Sequence, residues 1–273
     1  MYSFVGSENN RIATDIIGNS CKQPIILMHG GGQTRHSWRD SALILAAQNH
    51  FVISVDMRGH GDSDWVTSQD YSLQAAAADI EKIISGLDVP PILVGASYGG
   101  LVSLYLAGTK KYPIKAMVLV DVVAKINPEG VKPIRDFMQS RPDGFFSLDE
   151  AADSIAEYLP HRKKPTNLDG LEKNLKLNSL GRYIWHWDPA FMDSTETDKI
   201  YMELSFLNEP IDIPAILIKG TLSDVVNEEG IQHLTDIIPD MEFVEVDKAG
   251  HMIAGDKNTD FQDAVLKFIK TTV

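Results

Sequence analysis

The sequence is short of cysteine, of positive charge and of any leader-like opening, and each shortage removes a class of function. Cys21 is the only cysteine among 273 residues. An internal disulfide and a thiolate metal cage are therefore excluded, and no metal or organic cofactor is expected. Cys21 itself reads as a small side chain, buried or half-buried. Lysine and arginine number 25 against 38 aspartate and glutamate, a formal net charge of −13. That balance argues against nucleic acid or an anionic membrane as the main partner, since both are polyanions. A small-molecule partner is expected, and composition says nothing of oligomeric state. Residues 1–17, MYSFVGSENNRIATDII, lack a basic start followed by an apolar core and do not resemble a secretory signal, which points to the cytoplasm. One stretch, Val89 to Thr109, carries no charge and is long enough to span a bilayer. Pro90-Pro91 and Gly99-Gly100 break it into a short β-like run and a helical run, so it reads as a buried strand and a buried helix.

What the chain does contain is alternation. The apolar runs IILMHG (25–30), FVISVD (51–56), PILVG (91–95), KAMVLVD (115–121), AILIKG (215–220) and MEFVEV (241–246) read as strands, mostly continuous as in strands covered on both faces. Helical candidates lie around them at Arg39–Asn49, Leu73–Leu87, Leu101–Lys110, Glu228–Ile238 and Phe261–Lys270. The expected class is α/β, a mostly parallel doubly wound sheet flanked by helices. Between Ala124 and Pro210 the alternation stops. This stretch holds helical candidates at Leu148–Tyr158 and Thr197–Phe206, many aromatics, and no strand run of the same quality. It reads as a helical cap insertion (124–210) in a core made of 1–123 and 211–273.

The strand–helix junction VGASYGG (94–100) places Ser97 between glycines in a tight turn. A G-x-S-x-G turn of this kind strains the serine backbone and projects its hydroxyl from the top of the sheet, at a helix N-terminus. A capping serine in a plain turn explains the same five residues, so partners elsewhere must decide. A nucleophilic serine needs a base, and the base needs an orienting acid. His251, in the loop after the last strand run, stands on the same sheet edge and is the base candidate. The acid candidate is Asp224, after AILIKG. Asp121, ending KAMVLVD on the same edge, is its rival and ranks second. The glycine turn His29-Gly30-Gly31-Gly32 exposes backbone N–H groups, so an oxyanion hole is expected from Gly31 and Tyr98.

These motifs stand in a family order: HGGG (29–32), DMRGHGDSD (56–64), GASYG (95–99), GTLSD (220–224) and AGHMIAGD (249–256). Over nearly its whole length the sequence resembles the α/β-hydrolase fold superfamily, and within it the small bacterial esterases and cofactor-free peroxidase-like (perhydrolase) members. The resemblance implies a helical cap and a structural turn at RGHGDSD. A serine at the elbow separates the chain from relatives that use aspartate there. The side chains expected to line a substrate pocket are Trp38, His36, Phe145, Trp185, Trp187 and Met192, with Phe146 and Met138 nearby. HRKKP (161–165) reads as a solvated loop. The reading is a serine hydrolase acting on a small or medium apolar carboxylic ester through an acyl-enzyme. Carbon–carbon bond hydrolysis, lactone hydrolysis, perhydrolysis and ligand binding without turnover remain open alternatives.

Overall fold

The structure, a computed structural model, describes residues 1–160, 164, 167–194, 197–253 and 258–272. Its main sheet has eight strands: β1 (Tyr2–Val5), β2 (Arg11–Ile17), β3 (Pro24–Met28), β4 (Phe51–Val55), β5 (Ile92–Ala96), β6 (Ala116–Val120), β9 (Ala215–Gly220) and β10 (Glu242–Val246). The spatial order is β1-β2-β4-β3-β5-β6-β9-β10. From β4 to β10 every pairing is parallel, while β1 and β2 join antiparallel at one edge. The six parallel strands are the six apolar runs. The antiparallel pair went unread, because β1 is an exposed edge strand and carries no apolar run.

Side chains of these strands divide with period two between two apolar layers. Ile26 and Met28 of β3, with Leu93 of β5, face the layer that holds α2 (Leu73–Ile84) and α3 (Tyr98–Thr109). Ile25 and Leu27, with Ile92 and Val94, face α1 (Arg39–Ala47) and the C-terminal helix α10 (Asn258–Thr272). Helix α9 (Glu228–Ile237) sends Leu234 and Ile237 to the first layer. Side-chain caps fix the starts of α2 and α9: Ser72 accepts from Ala75 N–H, and Asn227 accepts from Gly230 N–H. Cys21 is exposed, contrary to the buried or half-buried position expected of it. No helix of the described residues is long and apolar enough to cross a membrane.

The described residues between β6 and β9 take no part in the main sheet. They form α4 (Pro128–Gln139), α5 (Leu148–Tyr158), α6 (Asp169–Glu172), α7 (Phe191–Ser194) and α8 (Thr197–Leu204). They also form a two-stranded antiparallel hairpin, β7 (Leu175–Leu177) and β8 (Tyr183–Trp185), too short to register as a strand run. Two backbone hydrogen bonds tie this stretch to the loop after β4, Gly61 N–H to His186 O at 2.7 Å and Asp188 N–H to Gly59 O at 2.8 Å, and together they form an antiparallel bridge between His60 and Trp187.

Candidate active site

Ser97 sits between the end of β5 and the start of α3 with φ 46° and ψ −114°. For a residue with a Cβ this backbone is strained, and the strain is held by close packing on both sides. A Cβ on Gly95 would lie 2.3 Å from Gly99 O, and one on Gly99 would lie 2.3 Å from Met28 O. The two glycines therefore let helix and strand approach within a distance no other residue allows. Ser97 N–H donates to Val120 O at 3.1 Å, while Ser97 O accepts from Gly100 and Leu101 at 2.9 and 3.0 Å. The turn is locked and the side chain is left facing a cavity.

His251 lines the same cavity. Its Nδ1 donates to Asp121 Oδ2 at 2.6 Å. That bond keeps the proton on Nδ1 and leaves Nε2 as the proton acceptor. Asp121 is fully buried. Its Oδ2 also accepts from Ser223 Oγ, and its Oδ1 accepts from Gly220 N–H at 3.1 Å. The expectation of Asp224 is thus corrected. Asp224 is exposed, and its backbone carbonyl is occupied by Asn127 Nδ2 at 2.9 Å. The turn after β9 brings Ser223, not Asp224, to the histidine's partner. Ser223 had no distinguishing sequence signal.

Tyr98 opens α3, so its N–H has no intrahelical acceptor. Gly31 lies in the turn after β3, and both residues line the cavity with Ser97. Among the described residues neither N–H has an acceptor within the chain. The turn is supported from below by two buried imidazoles. His29 Nδ1 donates to Gly30 O at 2.8 Å and its Nε2 accepts from Met57 N–H at 3.0 Å. His60 Nδ1 donates to Arg58 O at 3.0 Å and its Nε2 accepts from Gly32 N–H at 3.1 Å. Burial is the main cause that lowers both rings' pKa, His29 to about 4 and His60 to about 3, so both are neutral near pH 7.

The loop after β4 is held by buried ion pairs as well as by the apolar packing of Met57, Val66 and Tyr71. Arg58, with a fully buried side chain, meets Asp79 with Nε at 2.7 Å and Nη2 at 2.9 Å, and meets Glu8 at 2.7 Å. Arg35 meets Asp56 and, at 2.8 Å, Asp62. The turn expected at RGHGDSD is present; its Asp62 pairs with Arg35 and its Asp64 accepts from Arg11 N–H at 2.7 Å.

The cavity has a volume of about 870 Å³. Trp38, Trp185, Trp187 and Met192 line it as expected, and so does Met138. Three expectations fail, those of Phe145, His36 and Phe146. Phe145 is fully buried against Ala151 and Leu175, away from the cavity, because its bridge to Tyr183 turns it inward. His36 lies at the far side of its turn, 4.0 Å from Asp15. Phe146 is exposed and stacks under the Arg182 guanidinium. Sequence reading missed the aliphatic wall formed by Val122, Ile126, Val131, Ile134 and Ile155. Most of HRKKP, and the end of AGHMIAGD (254–256), lie outside the described residues; Lys164 of HRKKP pairs with Asp153 at 2.5 Å. Among the described residues no group of three or more His, Cys, Asp or Glu side chains has the geometry to hold a metal ion.

The parallel sheet, the strained serine turn on its C-terminal edge and the buried Asp121–His251 pair define the class. The family model described as the alpha/beta hydrolase fold matches residues 23–257, and the chain belongs to that family and is a hydrolase. Two relatives align along most of the chain. The sn-1-specific diacylglycerol lipase ABHD11 of Mus musculus is 28% identical over 268 residues, covering 92% of this chain and 82% of that protein. Esterase Rv0045c of Mycobacterium tuberculosis is 26% identical over 242 residues, covering 85% and 78%. Among solved structures, E-2-(acetamidomethylene)succinate hydrolase aligns with a TM-score of 0.85 and 20% identity over 98% of this chain and 99% of that one. At that identity the likeness is one of fold.

Proposed function

We propose that the chain is a serine hydrolase that cleaves an apolar carboxylic ester through an acyl-enzyme on Ser97. The observation that carries the reading is the 2.6 Å bond from His251 Nδ1 to buried Asp121, in the cavity that Ser97 lines. His251 Nε2 takes the Ser97 proton as the hydroxyl attacks the ester carbonyl. The backbone N–H groups of Gly31 and Tyr98 receive the oxyanion, each donor of this kind lowering the barrier by about 3 kcal/mol. The protonated His251, steadied by Asp121, passes its proton to the leaving alcohol. Water then enters by the same route, its proton going to His251, which returns it to Ser97 Oγ as the acyl–oxygen bond breaks and the acid is released. No bond in this sequence requires a metal or an organic cofactor.

The aliphatic and aromatic wall supports an apolar substrate, and the relatives named as a lipase and an esterase agree with ester chemistry. A volume of about 870 Å³ sits toward the upper end of small-molecule pockets, which favours a medium acyl chain over acetate. In this reading residues 124–210 act as the cap that shapes the acyl site. The test is hydrolysis of p-nitrophenyl esters from two to twelve carbons, roughly the range such a pocket spans, with Ser97→Ala alongside. Turnover that disappears in Ser97→Ala, with a covalent acyl adduct on Ser97 detected by mass spectrometry, supports the reading. Folded wild-type protein that turns over no ester in the series overturns it.

A further inference from the structure

The proposed chemistry uses Gly31 N–H but leaves unexplained what holds it. Gly31 has no side chain to anchor it, and both of its backbone dihedrals are free to turn. A peptide unit is planar, so fixing either polar group of a peptide fixes the other. The Gly30–Gly31 peptide is pinned through Gly30 O by His29 at 2.8 Å. The Gly31–Gly32 peptide is pinned through Gly32 N–H by His60 Nε2 at 3.1 Å. Gly31 is thus clamped between two imidazoles whose centroids lie 5.1 Å apart.

His60 has a second set of contacts that His29 lacks. Its backbone bridges Trp187, and its neighbours Gly59 and Gly61 bond Asp188 and His186. Its ring meets Phe191 edge-on at 4.6 Å and lies 6.5 Å from Tyr98, the residue that supplies the other oxyanion N–H. Phe191 in turn presses on Gly31, where a Cβ would fall 2.9 Å from its ring. One fully buried side chain therefore touches the oxyanion turn, the residue after the nucleophile and the inserted segment. We propose that His60 is a positioning residue that, by holding the Gly31–Gly32 peptide through Gly32 N–H, closes the far side of the Gly31 turn, keeps its N–H aligned for the oxyanion, and ties that alignment to the seating of residues 186–191 on the core. This rests on the serine hydrolase reading and deepens it.

Two substitutions separate the ring's two bonds. His60→Gln sets an amide near the place of Nε2 and keeps an acceptor for Gly32 N–H. His60→Asn sets its amide near Nδ1, keeps a donor for Arg58 O and leaves Gly32 N–H without a partner. The readouts are kcat and KM on the best p-nitrophenyl ester, inhibition by an alkyl boronic acid that places an oxygen in the oxyanion site, and the melting temperature. His60→Asn is expected to lower kcat by about 10- to 100-fold and to weaken boronate binding by a similar factor, with KM changed less than about threefold. His60→Gln is expected to recover most of both. Equal kcat and boronate affinity in the two variants overturns the inference, whatever happens to the melting temperature. A variant that loses only thermal stability does the same. Wild type inert toward every ester and boronate sinks the serine hydrolase reading and this inference with it, whereas active wild type with indistinguishable variants sinks this inference alone.

Discussion

Replacing Asp121 by asparagine tests the site most sharply, because the structure assigns each carboxylate oxygen a donor. Oδ2 accepts from His251 Nδ1 and Ser223 Oγ, and Oδ1 accepts from Gly220 N–H. An asparagine has one oxygen and one NH2 group to fill those two places. With its oxygen toward His251, the NH2 faces Gly220 N–H, donor against donor, in a fully buried site. With the amide reversed, the NH2 donates to Nδ1, the imidazole proton moves to Nε2, and the ring can no longer take a proton from Ser97. The second arrangement satisfies Gly220 and is the one expected to win. In either arrangement the negative charge that steadies the imidazolium is gone. A loss of about 10³- to 10⁴-fold in kcat follows, equivalent to about 4–5.5 kcal/mol in the barrier. Asp224→Asn, at an exposed position, should stay within about threefold of wild type. The assay is steady-state hydrolysis of p-nitrophenyl butyrate, with circular dichroism to show that both variants are folded. A large loss in Asp224→Asn beside a nearly active Asp121→Asn would refute the assignment outright.

Other consequences reach stability. His29 and His60 have folded-state pKa values lowered to about 4 and about 3 by burial; the unfolded chain binds protons first as pH falls from about 6.5, so stability present above that pH declines toward pH 4, by up to about 1.4 kcal/mol per pH unit for each ring. Urea melts at pH 7, 6 and 5 measure the slope, and His60→Gln should flatten it; an unchanged slope would contradict the burial argument. Arg58→Met removes the partner of Asp79, which is itself only 2% exposed, and is expected to cost about 3–5 kcal/mol, read as a shifted urea midpoint, with Arg58→Met/Asp79→Leu recovering part of the loss. Gly99→Ala sets a Cβ 2.3 Å from Met28 O; neither backbone can yield, so we expect at least about 3 kcal/mol of destabilisation by thermal melt together with loss of esterase activity, and a variant of wild-type stability would show that the turn relaxes.

The parallel sheet was legible because β3, β5, β6 and β9 are buried on both faces, which forces continuous apolar runs. Ser97 was legible because its strained turn demands glycine at fixed offsets. The acid was not. Asp121 and Asp224 both follow a parallel strand and both stand on the active edge, so sequence spacing treats them alike. What separates them is that Asp121 immediately follows β6 and is fully buried, while the β9 turn places Ser223 inward and Asp224 outward. That depends on turn geometry, which composition does not encode. Pocket residues divided in the same way. Trp185 and Phe145 are similar in type and close in space, with ring centroids 5.4 Å apart, but only Trp185 lines the cavity. The aliphatic wall was missed because Val122, Ile126 and Ile134 look like any core residues.

The position of Asp121 has a consequence for the loop that follows β9. Ser97 N–H bonds Val120 O, and Asp121 is the next residue, so Ser97 and Asp121 are braced on adjacent strands near the centre of the sheet. Only the histidine arrives from a distant loop. The turn at 221–227 is thereby released from supplying a charge and takes up another task. Its Asp224 carbonyl receives Asn127, the residue that caps α4, and lies where a Cβ on Gly130 would fall only 2.1 Å away. The turn that sequence reading expected to hold Asp224 inward is the abutment on which the first helix of the inserted segment rests, so changes there should alter how that segment is seated before they reach the Asp121–His251 bond.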